Sequence, residues 1–288
     1  MVKKFSLFFS FILLLILGAS FLFAEVPIKG SAQDLESQSE EKFKILIFAG
    51  HEPEYGGAEY KGVLERDLNL QLAEELRDIL IKNSSFEIVM VRDIDGWNPV
   101  IKNYIDENKE EIRAWLSAKK EEFLLSVEGG KITPVRAEMG HRETPLDAAI
   151  FMYGVNKWAG ENNVDLSLHI HFNNNPKYKG KPNYEGFAIY IPERQYQNFS
   201  PSRTIAEYLM TEISKTHKVS TMKAESEGII EDQELIALGC YNTAIAPAVI
   251  VEYAYIYEDL MLTQDSRDNF IAQMASSTAQ ALETFRAR

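Results

Sequence analysis

One cysteine in 288 residues, Cys240, rules out any internal disulfide. Stability must then come from a packed core. Cys240 itself, set in LGCYNTAIAPAVIVEY, reads as a small buried hydrophobe. Basic residues are also in short supply: 30 Lys and Arg face 43 Asp and Glu, a net charge of −13. No basic stripe is available to follow a phosphate backbone, which excludes a nucleic-acid binder. Internal repeats and low-complexity tracts are missing too, which leaves an ordinary globular chain with ample length for a core.

The N-terminus is made of different material. MVKKFSLFFSFILLLILGASFLFA has two lysines and then no charge until Glu25. Residues 1–24 are therefore expected to be an export signal, cut after Ala24 or Ser20, or else a retained anchor. As an anchor, residues 5–24 would tether the chain to a membrane, being just long enough to span a bilayer. No cysteine follows the segment, so a lipid-anchored form is not indicated. EVPIKGSAQDLESQSEE, residues 25–41, reads as a flexible linker. The folded domain is expected over residues 42–288.

Within that domain, FKILIFAG is a strand-length apolar run ended by glycine. ERDLNLQLAEELRDILIK is helical, with Leu68, Leu72, Leu76, Ile79 and Leu80 at 3.6-residue spacing, and FEIVMVRD is a second strand. The charged, helix-prone segment 96–144 reads as an insertion lying over the sheet and outside the core, a lid, a substrate-selecting arm or a decorated surface helix. A further helix begins at Pro145. VDLSLHIHFNNN alternates strictly: Leu166, Leu168, Ile170 and Phe172 point one way, Ser167, His169, His171 and Asn173 the other. YEGFAIYIP and PAVIVEYAYI are strands, and PSRTIAEYLMTEISKTH and the C-terminal SRDNFIAQMASSTAQALETFR are helices. The expected fold class is α/β: a single three-layer α/β/α domain around a mixed, mostly parallel sheet, with the site at one edge of the sheet.

Stepping from Glu65 by three and four residues lands on Leu68, Leu72 and Leu76, so its carboxylate leaves from the apolar face of its helix. An ionised carboxylate there is costly unless it is paired or binds a metal, although an exposed first turn would also favour an acid. His51 follows a strand through Ala-Gly, His171 lies late in another strand and Glu252 late in a third. In open α/β sheets, ligands bind beyond the carboxyl ends of strands. Two imidazoles and an acid suit zinc with a fourth position left for water, and a remaining carboxylate can move protons. The apolar flanks of Glu252 should raise its pKa, as that role needs. His51-Glu52-Pro53-Glu54 also reads as His-x-x-Glu, which would put Glu54 in the ligand position in place of Glu65.

In this order the motifs resemble the zinc-dependent N-acetylmuramoyl-L-alanine amidases, whose catalytic domain is Amidase_3. The resemblance rests on FAGHEPEYGGAEYKGVLERDLNL, on His169-Ile170-His171-Phe172-Asn173 and on PAVIVEYAYI, and runs with a gap from about Phe43 to the C-terminus. It implies His51, Glu65 and His171 as ligands of one Zn2+ per chain and Glu252 as catalytic acid/base. It also implies an exported enzyme that cleaves the amide between N-acetylmuramic acid and L-alanine in peptidoglycan. The chain departs from the family pattern at Glu52 (usually Gly), at His169 (usually Ser) and in YAYIYE after the catalytic Glu. Segment 96–144 has no counterpart in the pattern. His169, on the same strand face as His171, reaches the metal itself, supports a ligand or touches substrate; Asn173 contacts substrate or ends its strand. His141 is a surface or cleft residue, and His217, at a helix end, is a structural cation favoured by the dipole. Tyr253, Tyr255 and Tyr257 belong to the core. Two rivals remain: a zinc peptidase or other amide hydrolase on this scaffold, and a non-catalytic wall-binding module.

Overall fold

FKILIFA places apolar side chains on both faces of Phe43–Ala49 (β1), a pattern satisfied only by a strand covered on both sides. The computed structural model, which describes residues 41–52, 56–138, 144–174 and 184–288, puts β1 inside a six-stranded sheet, with Ile45, Leu46 and Ile47 fully buried. Residues 1–24, all but the last residue of the 25–41 linker, Glu54 and His141 lie outside the described residues. Among the described residues, no helix is long and apolar enough to cross a membrane.

A short hairpin, β2 (Glu59–Tyr60) and β3 (Val63–Leu64), leads into α1 (Glu65–Leu80). Leu68, Leu72, Leu76 and Leu80 recur every four residues of α1, and each is buried against the sheet. Such burial contributes roughly 1.5–3 kcal/mol per side chain. The chain continues through β4 (Phe86–Met90) and a second hairpin, β5 (Arg92–Asp93) and β6 (Gly96–Trp97). Then follow α2 (Pro99–Glu107), α3 (Lys109–Glu128), α4 (Leu146–Glu161), β7 (Leu166–Asn173) and β8 (Ala188–Pro192). α5 (Phe199–Ile213), β9 (Ile229–Asp232), β10 (Ala248–Tyr255) and α6 (Gln264–Arg286) complete it.

The strand order is β4-β1-β7-β10-β8-β9. Its one antiparallel pairing is β10 with β8, so the sheet is mixed and mostly parallel, as expected. α1, α5 and α6 share one apolar cluster with one face; α2, α3 and α4 share another with the opposite face. These are the three layers. Tyr253, Tyr255 and Tyr257 are buried, as expected.

Three expectations need correction. Segment 96–144 does not sit outside the core: Ile101 and Ile105 of α2 and Ile112 and Leu116 of α3 are buried with Leu46, Phe48 and Val91. Each pair is spaced by four, which gives a charged helix a narrow apolar stripe. The segment carries two helices, the first capped by Asn98, which accepts from the Val100 amide beside Pro99. His217 lies past the end of α5, with its ring beside Phe187 and Phe270. Burial lowers its pKa to about 4, so it carries no charge for a helix dipole. Cys240 is half-buried rather than buried, in a short turn over Cys240–Asn242.

Candidate functional site

β1, β7 and β10 are neighbours in the middle of the sheet and run the same way, so their carboxyl ends share one rim. His51 lies two residues past β1, His171 near the end of β7, and Glu252 pairs with His171 in register on β10. Glu65 opens α1 beside them. The site therefore sits at the carboxyl rim of central strands and not at a flanking edge of the sheet.

Glu65 is buried, 5% exposed. Its Oε1 lies 2.9 Å from His51 Nε2 and 3.1 Å from His171 Nδ1. The Ala58 amide donates to Oε2 at 2.9 Å and the Phe172 amide to Oε1 at 3.4 Å. Burial alone would raise the Glu65 pKa, but the hydrogen bonds from His171 and His51, and their charge, hold it well below the usual carboxylate range. Burial pushes His171 the other way, toward the neutral ring, against the pull of Glu65. The two imidazoles stand 5.2 Å apart and nearly perpendicular.

The loop that carries His51 is tightly held. His51 adopts φ of 64°, a left-handed conformation uncommon outside glycine. The Gly50 carbonyl just before it accepts from Asn69 Nδ2 and from the Arg92 guanidinium, both at 3.0 Å. Arg92 also donates to the carbonyls of Ala49 and Arg66. Two glycines make room: a Cβ on Gly50 would lie 2.3 Å from the His171 ring, and one on Gly57 (φ 71°) 2.4 Å from His51 and 2.6 Å from Glu65 Oε2. Asn69 and Arg92 escaped the reading of the sequence. The available signals were a polar residue one turn after Glu65, among leucines, and a cation closing an apolar strand.

His51, Glu65 and His171 each offer a ligand atom, all within 4.8 Å of one another. Two nitrogens and one oxygen so close suit a single divalent ion about 2.0–2.2 Å from each. Among the described residues, theirs is the one group of this kind.

Glu252 lines the adjoining cleft, a cavity of about 700 Å³ that runs from His171 past Tyr190 toward Tyr153, Tyr241 and Lys120. Its Oε2 is buried and has no hydrogen-bond partner among the described residues. Burial pushes its pKa well above the ordinary value, and the nearby Glu65 and Glu225 carboxylates push it further. β10 bulges after Glu252, a device that redirects side chains beside functional sites. Cys240 lines the same cleft, with its thiol raised to about 11 by burial.

His169 is packed differently from its strand neighbour. Its ring stacks on Phe48 at 5.1 Å, and burial lowers its pKa to about 3. It is not part of the His51–Glu65–His171 group. Asn173 ends β7 and donates to Glu225 Oε1 at 2.6 Å. Glu225, fully buried, was not anticipated, because TMKAESEGII reads as a solvated polar loop. Its carboxylate also accepts from the hydroxyls of Tyr190, Ser220 and Tyr255.

A family model described as N-acetylmuramoyl-L-alanine amidase, Amidase_3, matches residues 45–284. No curated protein sequence matches the chain. Among solved structures, an N-acetylmuramoyl-L-alanine amidase from Clostridium difficile 630 is 16% identical, with 85% of this chain and 97% of that one covered at a TM-score of 0.53. The CwlD amidase from Clostridioides difficile, solved with the GerS lipoprotein, is 14% identical, covering 85% and 99% at a TM-score of 0.54. Ami1 from Mycobacterium smegmatis is 12% identical, covering 86% and 98% at 0.53. At such identities the likeness speaks for the fold.

Proposed function

Because the chain belongs to the N-acetylmuramoyl-L-alanine amidase family, we propose that it hydrolyses the amide joining the lactyl group of N-acetylmuramic acid to the L-alanine of the stem peptide. The observation that carries this reading is the gathering of His51, Glu65 and His171 at one rim, with Glu252 in register beside them. The three would hold one zinc ion per chain. When bound, zinc supplies a water acidified to near neutrality and a Lewis acid for the scissile carbonyl.

The chain's own residues do the rest. His51 is pinned through the Gly50 carbonyl, and Glu65 is held by two backbone amides, so the ligand set is preorganised. Glu252 takes a proton from the attacking water as the new C–O bond forms. It returns that proton to the leaving nitrogen as the C–N bond breaks, giving a free carboxylate and a free amine. Its raised proton affinity suits a group that must accept from water and donate to an amine. Peptidoglycan lies outside the cytoplasmic membrane, and residues 1–24 would take the domain there.

Glu252→Gln tests the assignment. Turnover should fall at least about 10³-fold while the purified variant keeps its metal. Mass spectra of digested peptidoglycan should show free stem peptides and intact glycan chains. Retained activity in the variant would overturn the role of Glu252. Release of shorter peptides would point to a peptidase on this scaffold.

A further inference from the structure

Behind the cleft wall lies a second buried carboxylate that the hydrolysis just described does not use. Glu225 sits in a single turn over Lys223–Glu225 and is fully buried. Four side chains from different parts of the chain donate to it. Asn173 Nδ2 and the Tyr190 hydroxyl reach Oε1 at 2.6 and 2.7 Å; the Ser220 and Tyr255 hydroxyls reach Oε2 at 2.5 and 2.7 Å. A carboxylate accepts and does not donate, so the proton in each of these contacts must come from the partner. Two of the partners, Asn173 and Tyr190, also line the cleft beside His171 and Glu252, whereas Glu225 does not.

Hydrogen-bond polarity then decides what the wall can offer. Tyr190 has a single proton and spends it on Glu225, so its oxygen is left only to accept. Asn173 turns its amide nitrogen toward Glu225, spending one of its two N–H groups there and fixing the direction of its carbonyl oxygen. Among the described residues, no side chain or amide donates to either of those oxygens. Burial and the Glu225 charge push the Tyr190 phenol far up, so it keeps its proton. Without Glu225, both side chains are ambivalent: a phenol or an amide can present a donor or an acceptor to a ligand.

We propose that Glu225 is a positioning residue of this cleft: by taking the Tyr190 proton and orienting the Asn173 amide it fixes the Tyr190 oxygen as an acceptor beside Glu252 that selects a backbone N–H group of a peptide. The inference rests on the amidase reading, in which a stem peptide occupies the cleft, and it names the part of the substrate that is read there. The fixed Tyr190 oxygen repels a substrate carbonyl and receives an amide N–H. It therefore acts on substrate recognition more than on the bond-breaking step.

The test is steady-state kinetics on a soluble muramyl peptide, with zinc content and melting temperature measured beside it. Tyr190→Phe removes only the accepting oxygen. KM should rise about tenfold, kcat should change less than about threefold, and zinc content should stay as in wild type. Glu225→Gln keeps the shape but brings an NH2 group that cannot accept, so at least one partner must turn round. It should raise KM by at least about tenfold, and adding Tyr190→Phe to it should cost less than about twofold more. Should Glu225→Gln fail to fold, the Tyr190→Phe result decides alone. An unchanged KM in a well-folded Tyr190→Phe overturns the proposal, and so do effects of the two substitutions that simply multiply. A wild-type protein that releases no stem peptide would instead sink the amidase reading, and this inference with it.

Discussion

Glu65 and Glu225 are both buried glutamates whose oxygens are well supplied with donors, yet their surroundings fit them for opposite tasks. Glu65 is held by two imidazoles and two backbone amides. A neutral imidazole presents a lone pair, and burial already pushes His171 toward the neutral ring, so this corner offers ligand atoms to a cation. Glu225 is held by two phenols, a serine and an amide. Burial pushes both phenols far up, with the Glu225 carboxylate adding to the shift, so none of these donors lets go. One corner gathers ligand atoms that a cation could take; the other is a buried carboxylate that takes up its neighbours' protons. Glu252 feels both charges, and its own Oε2 has no partner among the described residues. What a buried carboxylate does is set by how readily its partners release their protons.

The comparison breaks most sharply at His171. His171→Ala should lower zinc from about one ion per chain to near none and cut turnover more than about 10³-fold. Metal analysis beside kinetics measures this, and full zinc occupancy in the variant would end the metal reading of the Glu65 corner. Stability comes next. The metal-free protein should remain folded, because His51 and His171 already pair with Glu65 and the core lies elsewhere. Zinc at a hundred times its Kd should add about 2.7 kcal/mol to wild type and nothing to His171→Ala, read as a shift in Tm.

A third buried glutamate sharpens the contrast. Glu258 accepts from the Gly186 and Tyr255 amides, yet burial still raises its pKa to about 7. A carboxyl whose folded pKa is raised contributes stability below its unfolded pKa of 4.5, and that contribution is lost as pH rises through about 7. Glu258→Gln keeps an acceptor for the amides and cannot ionise. Its stability relative to wild type should therefore rise by on the order of 2–3 kcal/mol between pH 4.5 and pH 7.5, seen in paired denaturant melts. A constant difference across that range would refute the shift. The smallest effect should come from Gly57→Ala. The new methyl meets His51 and the Glu65 carboxylate in a left-handed turn, which should cost about 1–2 kcal/mol and weaken zinc binding. The Glu225 corner should be untouched.

Much of the fold was legible because its central elements carry strong patterns. β1 is apolar on both faces, α1 repeats leucine every four residues, and β7 alternates strictly. The gathering of His51, His171 and Glu252 followed from one rule, that neighbouring parallel strands present their ends to the same rim; Glu65 joins them from the start of α1. What stayed hidden depended on contacts between distant segments. The buried stripe of α2 and α3 was masked by the charges around it, and β9 is a four-residue acidic strand at the sheet's edge. Nothing local in TMKAESEGII says that Glu225 will meet donors from β7, β8, β10 and Ser220. Arg92 and Asn69 were missed for a similar reason, since their partner is a backbone carbonyl that no composition reveals. His217 was misread because its helix stops at Ile213, which leaves the ring among phenylalanines.

The strand order has a temporal side. β1, β7 and β10 touch in space but come from the beginning, middle and end of the folded chain. A nascent polypeptide would carry His51 and Glu65 early, gain His171 only after the charged helices, and lack Glu252 until nearly everything has been made. If Glu252 is the acid/base proposed above, a truncation that removes only the last strand and helix should leave the chain unable to open peptidoglycan.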